Sequence, residues 1–267
     1  MSDVINFLAS LYEKGLSYSV IKSAKASLNL ILAFPPYSSI GEHPLIIKFM
    51  KGVFNTRPPT RKFGFVWDVK ILFDYFRELG DNENLKDDVL SHKILLLLVL
   101  LGGQRINTIF WFRTDELICN DLSATFAPSH VLKHSNENRK QDIFEYRAYH
   151  DKKLCVIACL RAYLARRNTR VQSHCKKLLI THKKPYHEAS IDTLRRWVKT
   201  LFNNIGIFNF SAHSCRSAST SKALAIGIDI DEILKKGCWS NEKTFFDFYK
   251  KDIIYFAKDE PFNEIIN

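Results

Sequence analysis

Three short stretches of the sequence carry the residues best suited to chemistry on an anion. In the first, LLGGQRINTI, Arg105 follows two glycines directly after a long apolar run. A charged side chain at the end of an apolar element is costly unless an anion pairs with it. The same residue also fits an ordinary surface arginine at a helix end, so this stretch alone leaves both interpretations open.

The second stretch, FSAHSCRSASTSKALAIG, places His213 and Arg216 three residues apart. On a helix, that spacing puts both side chains on one face. Ser211 is the predicted start of this helix, so the positive end of the helix dipole would face the same space. A guanidinium and an imidazole in that position would form an anion site, although an isolated HxxR also occurs by chance.

The third stretch, KKGCWSNEKTFFDFYKKD, contains Trp239 and, ten residues later, Tyr249. The indole N–H can only donate a hydrogen bond, and the phenol lies in an aromatic and basic setting. Taken alone, the two residues also fit a core tryptophan and a packing tyrosine.

Sequence motifs for nucleotides and metals are missing. There is no GxxxxGK[ST], GxGxxG or HExxH, which disfavours a nucleotide hydrolase, a dinucleotide enzyme and a zincin. His130 and His134 lie four apart, and on a strand of ~3.3 Å per residue their rings would be roughly 13 Å apart. The six cysteines contain no CxxC pair and are predicted to be buried thiols. The sequence therefore offers no pattern typical of a metal-binding or cofactor-binding site.

The charge of the chain is concentrated in one quarter of it. The 267 residues have a formal net charge of +11; residues 133–199 hold 17 Lys and Arg against 6 Asp and Glu, and the rest holds 22 of each. A focused basic region suits nucleic acid or an anionic membrane surface better than a small neutral substrate. The longest apolar run, Ile94 to Leu101, has eight residues, whereas a membrane span needs about 20.

Helices must position most of these residues. Apolar spacing near 3.6 predicts two helices within 3–33, broken around Gly15–Ser17. The same pattern, with Ser211, Asp229 and Ser240 as caps of the last three helices, predicts further helices over 45–53, 67–79, 87–101, 155–166, 191–203, 212–226, 230–236 and 241–250.

A small sheet and a linker interrupt the helices. Short runs at 124–126, 131–133 and 143–149, around the polar turn 134–140, predict an antiparallel sheet with a hairpin. The stretch TRPPTRKFG combines two prolines with basic residues and predicts a linker between two modules. The predicted fold class is mainly α with a small antiparallel β-sheet.

Taken in order, an arginine, a hairpin lysine, HxxR, GxW and a tyrosine resemble the catalytic signature of the tyrosine recombinases, the phage-integrase-like enzymes. The stretch GLSYSVIKSAKASLN also resembles the core-binding domain of that family, so the resemblance covers nearly the whole chain. It is most similar to the recombinases of DIRS-like retrotransposons in HPLIIKFMKGVFNTRPP, the FxWDV pattern of residues 65–69, GGQR, FSAHSCRSASTSKAL and CWSNEKTFFDFY.

The resemblance implies a tyrosine-recombinase catalytic fold preceded by a short helical domain. Residues 1–56 would be the core-binding (SAM-like) DNA-binding domain, 57–63 the linker and 64–267 the catalytic domain. The first module is short for a core-binding domain, so we expect a truncated domain and a chain that is a fragment of a larger element product.

The resemblance also implies DNA cleavage and rejoining through a covalent 3′-phosphotyrosyl intermediate, with no cofactor. Tyr249 would be the nucleophile, and Arg105 and Arg216 would hold the scissile phosphate. Lys133 would protonate the leaving 5′-oxygen, with Lys140 as the less favoured substitute. The roles implied for the remaining two residues are proton transfer for His213 and donation to a nonbridging oxygen for Trp239.

The implied partner is double-stranded DNA, bound by a homo-oligomer, dimer or tetramer, with no membrane involved. A product of a mobile element of this kind would act in the nucleus. The residues expected to contact DNA are Arg57, Arg61, Lys62, Arg139, Lys140, Arg195 and Arg196.

Two positions depart from the family pattern. Thr108 stands where an acidic residue is common, so the usual carboxylate support is missing. The interval from Trp239 to Tyr249 is one residue longer than in most phage-type members, which rotates a continuous helix by ~100° and predicts a locally altered helix. Two other hypotheses stay open: a weakened or inactive DNA-binding protein of the same fold, which Thr108 favours, and a monomeric type IB topoisomerase, which uses related chemistry.

Overall fold

The computed structural model describes residues 1–32, 35–59, 64–132, 135, 142–171 and 174–254. Contacts between residues divide the chain into two units, Met1–Phe63 and Gly64–Asn267. None of the helices in the described ranges has the length and apolar character needed to cross a membrane.

The first unit consists of three helices. They are α1 (Ser2–Glu13), α2 (Tyr18–Ile31) and α3 (Pro44–Thr56), with a 3-10 turn at Ile40–Glu42. The predicted break between the first two helices is confirmed, since Gly15 has a φ of 80° and the Ser17 side chain accepts a hydrogen bond from the Val20 N–H. The buried core of this unit is Val4, Leu8, Ile21, Ile40, Ile46, Met50 and Val53.

The second unit is mainly helical, with two small groups of strands. Its helices are α4 (Val69–Glu78), α5 (Asp87–Gly102), α6 (Ile106–Phe110), α7 (Val156–Asn168), α8 (Ile191–Asn204), α9 (Ser214–Ala225), α10 (Ile230–Gly237) and α11 (Glu242–Phe248). Its strands are β1 (Phe65–Trp67), β2 (Leu117–Cys119), β3 (Ser123–Phe126), β4 (Phe144–Arg147) and β5 (Asp252–Ile254). The predicted fold class is confirmed.

Helix α5 is the central element of the second unit. Its side chains are buried around the whole circumference, and it packs against α7, α8, α9 and β4. This is the arrangement that its nearly continuous apolar sequence predicts. Gly103 ends the helix in the left-handed conformation, with a φ of 58°.

The antiparallel sheet has the strand order β2-β3-β4, with Ser123 paired to Arg147 and Leu117 paired to Phe126. The strand predicted over 131–133 is wrong for Val131 and Leu132, which are not in a strand; Lys133 and all of the predicted turn except Ser135 lie outside the described residues. The third strand is instead β2, whose three residues are too short a run to show alternation.

A second pair of strands is parallel and brings together the first and the last described residues of this unit. Strands β1 and β5 pair with Trp67 opposite Ile254. The helix predicted from residue 67 therefore begins at Val69, and the Asp68 side chain accepts a hydrogen bond from the Lys70 N–H at its start. Local spacing could not predict strand β1, because its partner β5 is distant in sequence and leaves no pattern in the residues around Trp67.

Lys93, in the middle of α5, is fully buried, and its Nζ has no hydrogen-bond partner within the described residues. The ammonium lies 5.7 Å from the centre of the Phe76 ring. Burial lowers the pKa of Lys93, so the unfolded chain binds a proton here more readily than the folded chain. The free energy of unfolding must therefore rise with pH from the lowered pKa up to ~10.5, the unfolded value.

The Lys93→Met variant should raise the free energy of unfolding at pH 7 by about 1–4 kcal/mol, because it replaces an unpaired buried amine with an apolar chain. It should also reduce the increase in the free energy of unfolding between neutral pH and pH 10. Urea denaturation followed by tryptophan fluorescence measures both, since all four tryptophans belong to the second unit. Leu97→Met on the same helix is the matched control, and a variant no more stable than that control would contradict the prediction.

Candidate active site

Arg105 stands where α5 turns into α6. It is the residue that precedes α6, and its half-buried guanidinium reaches the phenol of Tyr249, with 3.3 Å between Nη2 and Oη. The two residues are 144 positions apart in sequence. The anion-binding interpretation of this arginine therefore gains a spatial partner, and the arginine is not an isolated surface residue.

Arg216 projects from α9 into the interior and is 1% exposed. Its Nη2 donates to the carbonyl oxygen of Gly237 at 2.5 Å, whereas its Nε and Nη1 have no partner within the described residues. Burial, together with the positive charge of Arg105, lowers the pKa of Arg216 to about 10. The guanidinium is still protonated at neutral pH, so the site holds a buried positive charge with unused donors.

His213 lies at the start of α9, on the same helix as Arg216. The predicted start at residue 212 with Ser211 as the cap is wrong, because α9 begins at Ser214 and His213 is its N-cap. The Ser211 carbonyl instead accepts hydrogen bonds from the backbone N–H and the hydroxyl of Ser214. The exposed imidazole of His213 has its ring centre 6.0 Å from that of Tyr249.

Trp239 covers the buried guanidinium. The Arg216 Cζ lies 3.8 Å from the centre of the indole, within the range of a cation–π contact. The indole Nε1–H is buried and unpaired within the described residues. Gly237 makes this position available, since a β-carbon there would lie 1.9 Å from Cζ3 of the indole.

Tyr249 follows directly after the last residue of α11, and its N–H donates to the Phe245 carbonyl at 2.8 Å. The helix predicted over 241–250 ends earlier than expected, at Phe248, and the Lys250 N–H returns to the same Phe245 carbonyl at the helix end. The phenol is 8% exposed, and its ring packs edge-on against Trp239 with centres 4.8 Å apart.

Ser221 holds the backbone on either side of this tyrosine. Its hydroxyl donates to the Tyr249 carbonyl at 3.1 Å and accepts from the Lys251 N–H at 3.0 Å. Since Ser221 and Arg216 both belong to α9, one helix carries the buried guanidinium and anchors the segment of the phenol. Nothing in the sequence distinguishes Ser221 from the other serines of that stretch.

Five of the six predicted catalytic residues thus lie in the described part of the chain, and contacts connect all five. Two guanidinium groups and an indole ring contact the phenol. Among the described residues, the Nε and Nη1 of Arg216 and the Nε1 of Trp239 have no hydrogen-bond partner. Such a set fits an oxyanion with several oxygens, and a phosphoryl group meets that description. The sixth residue, Lys133, lies outside the described residues.

Three of the seven residues expected to contact DNA lie in the described part of the chain, and their environments differ from one another. Arg57 donates to the carbonyls of Tyr12 and Leu16 and lies over the Tyr12 ring, so it packs within the first unit. Arg195 and Arg196 are exposed on α8, where they bond to Asp192 and Thr193 on the same helix. The other four, Arg61, Lys62, Arg139 and Lys140, lie outside the described residues.

Comparisons with known proteins bear on the fold. No family model and no curated protein sequence matches the chain. The integrase of transposon Tn1549 in complex with transposon right-end DNA is 15% identical over 99% of this chain and 84% of that chain, with a TM-score of 0.62. XerH site-specific recombinase in a post-cleavage complex with palindromic difH substrate is 13% identical, over 93% and 69%, with a TM-score of 0.61.

A lambda integrase dimer bound to a COC′ core site is 12% identical over 97% of this chain and 82% of that chain, with a TM-score of 0.54. All three solved structures are recombinases or integrases with bound DNA. The chain therefore has the tyrosine recombinase catalytic fold, as the order of its motifs predicts.

Proposed function

We propose that this protein is a tyrosine recombinase that cleaves and rejoins DNA through a covalent bond between Tyr249 and a 3′-phosphate. One observation carries the proposal: the Tyr249 phenol accepts a hydrogen bond from Arg105 beside the buried guanidinium of Arg216, two nitrogens of which have no partner among the described residues. The two cations are costly to hold side by side without an anion. A scissile phosphate would satisfy both and would lie next to the nucleophile.

The chemistry follows from the nature of the phenol. The Tyr249 Oη attacks phosphorus, its proton passes to His213, and the bond from phosphorus to the 5′-oxygen breaks. By the resemblance, Lys133 supplies the proton that the leaving oxygen takes up. Since a phenol of pKa ~10 is a good leaving group, the freed 5′-hydroxyl can reverse the reaction and reseal a strand.

The buried donors would act mainly on the transition state. The pentacoordinate phosphorus carries more negative charge on its nonbridging oxygens than the bound diester does. The Nε and Nη1 of Arg216 and the Nε1 of Trp239 have no partner in the described part of the chain and are already in place, so they would meet that charge without reorganisation.

Further parts of the proposal concern the partners and the origin of the protein. Double-stranded DNA is the substrate, and a dimer or tetramer assembles on it; one of the similar solved structures is a dimer on its core site. The motifs GGQR and CWSNEKTFFDFY support an origin in a DIRS-like mobile element, with a nuclear site of action. The exposed Arg195 and Arg196 are candidate phosphate contacts.

A second candidate function is DNA binding by the same fold with weak or no cleavage. Thr108 favours it, because this residue is 4% exposed and supplies no carboxylate. The two functions differ in one product, the covalent adduct.

A pool of random-sequence duplexes, each carrying a nick, tests the proposal, since loss of the short cleaved fragment traps the adduct. We expect a protein–DNA adduct that survives SDS, forms in the presence of EDTA and maps by mass spectrometry to the peptide containing Tyr249. Retention of the pool on the protein without any adduct would support the DNA-binding alternative and overturn the proposal.

The Gly237→Ala variant should form adduct roughly 10–100-fold more slowly, because the new methyl group displaces the indole from Arg216. Gly237 lies outside the left-handed region, so its backbone accepts alanine. Gly52→Ala on α3 is the control, since a β-carbon there meets nothing within 4 Å. The test measures single-turnover rates of adduct formation at saturating DNA. Equal rates for Gly237→Ala and Gly52→Ala would show that the position of the indole does not affect the reaction.

A further inference from the structure

The turn between α5 and α6 carries Arg105 at a fixed place. After the left-handed Gly103, the backbone N–H of Gln104 returns to the Val99 carbonyl at 3.0 Å, which closes the end of α5. Arg105 follows at once. Its backbone position therefore depends on how Gln104 is held.

The turn between α10 and α11 is closed in the same way. Cys238 adopts the left-handed conformation with a φ of 57°, and the Trp239 N–H returns to the Leu234 carbonyl at 2.9 Å. A non-glycine residue persists in this conformation only where its surroundings enforce it. The surroundings of this turn must therefore supply the constraint.

Two buried side chains supply it by binding successive carbonyls. The Nε2 of Gln104 donates to the Lys236 carbonyl at 2.6 Å, and the Nη2 of Arg216 donates to the next carbonyl, that of Gly237. Both carbonyls belong to the last residues of α10, where helical partners are lacking. The second hydrogen of the Gln104 amide goes to the Gly102 carbonyl at 3.2 Å.

The cost of this arrangement argues that the amide is needed. Gln104 is fully buried, and its Oε1 has no partner within the described residues. A leucine or methionine of similar size would fill the same space and remove the unsatisfied Oε1, but the Lys236 carbonyl would lose its donor. What only the amide provides is a pair of donors that link the end of α5 to the end of α10.

We propose that Gln104 is a positioning residue, which holds the turn at Lys236 and Gly237 so that the Trp239 indole stays over Arg216. Because Arg105 follows Gln104 directly, the same hydrogen bonds also fix the backbone of Arg105. The proposal rests on the proposed function for its catalytic consequence, but the placement of the indole can be measured without DNA.

The test compares Gln104→Met, which loses both donors, with Gln104→Glu, which has nearly the same shape. Ser219→Ala is the matched control, since Ser219 also bonds a carbonyl at the end of α5, that of Leu100, without touching the turn. The first measurement is the ¹H–¹⁵N resonance of the Trp239 indole, assigned by its absence in Trp239→Phe. The second is the single-turnover rate of adduct formation alongside DNA affinity.

We expect both Gln104 variants to shift the indole resonance and to slow adduct formation at least about 10-fold at unchanged DNA affinity. In Gln104→Glu the deficit should shrink as pH falls from 8 to 6, because a buried carboxyl group takes up a proton and can donate to one carbonyl. Gln104→Met should show no such recovery. If Gln104→Met does not fold, the two pH values of Gln104→Glu carry the test.

An indole resonance that stays at its wild-type position in the folded Gln104 variants would overturn the proposal. So would wild-type rates of adduct formation in those variants. If instead the wild-type chain forms no adduct, the proposed function fails, and the indole resonance still decides whether Gln104 positions the turn.

Discussion

The Tyr249→Phe variant will form no covalent adduct with nicked DNA, a loss of at least about 10⁴-fold relative to the wild-type chain. The substitution removes the one atom proposed to attack phosphorus. It leaves the ring, which still packs against Trp239, and the backbone, which Ser221 still holds. Folding and DNA affinity should therefore be unchanged, so the loss can be assigned to chemistry.

The control for this experiment is Tyr149→Phe, the same change at a tyrosine that is 48% exposed. It should form adduct at the wild-type rate. Adduct of undiminished yield in Tyr249→Phe would show that another residue attacks the DNA, and the assignment of the nucleophile would be abandoned.

The second large effect is expected at Arg216. Both Arg216→Ala and Arg216→Lys should lower the single-turnover cleavage rate by about 10²–10³-fold, the usual effect of removing a preorganised donor to a transition-state oxyanion. Lysine keeps the positive charge but lacks the planar fork, so it cannot bind the Gly237 carbonyl and a phosphate together as the guanidinium can. Arg216→Lys should therefore lower the cleavage rate nearly as much as Arg216→Ala does.

A substrate with a methylphosphonate at the scissile position separates a role in catalysis from a role in folding. The methyl group replaces a charged oxygen, so less positive charge is needed in the transition state. The deficit of Arg216→Ala should shrink on this substrate, and a merely misfolded variant would gain nothing. Arg195→Ala on the surface of α8 serves as the control for loss of an arginine. Cleavage by Arg216→Lys within twofold of wild type would refute the role of the fork.

Thr108 stands where the recombinase pattern commonly has an acidic residue. Thr108 is buried one turn into α6 and offers no carboxylate to the arginines. Gln104 precedes Arg105 in the sequence, and its amide bonds to the carbonyls of Gly102 and Lys236. If Gln104 is a positioning residue as proposed, it supports this arginine through the backbone.

Most of the helices follow from local sequence. The continuous apolar run of α5 can be satisfied only by burial on all sides, and the spacing of apolar residues in α8 defines one buried face. The order of the motifs was enough to predict the fold class, and it pointed to five described residues that the structure brings into contact. The helices are local features, because each depends on neighbours within one or two turns.

The errors arose where distant segments meet. Residue 67 was predicted to be helical, but Trp67 pairs with Ile254 in a parallel strand. Gln104 and Ser221 were not predicted as parts of the site, because each acts on a backbone group in another element, at Lys236 and at Tyr249. Such bonds involve main-chain atoms that every residue has, so residue types do not reveal them.

Local sequence patterns establish which side chains are available, in which order and on which helices. The contact of Arg105 with a phenol 144 positions away, and the burial of Arg216 with two donors that have no partner in the described ranges, arise only from tertiary packing. The physical reason is that the free energy of a buried charge depends on what packs around it in space. That packing is set by α9, which contacts both α5 and α10, and no local pattern encodes these contacts.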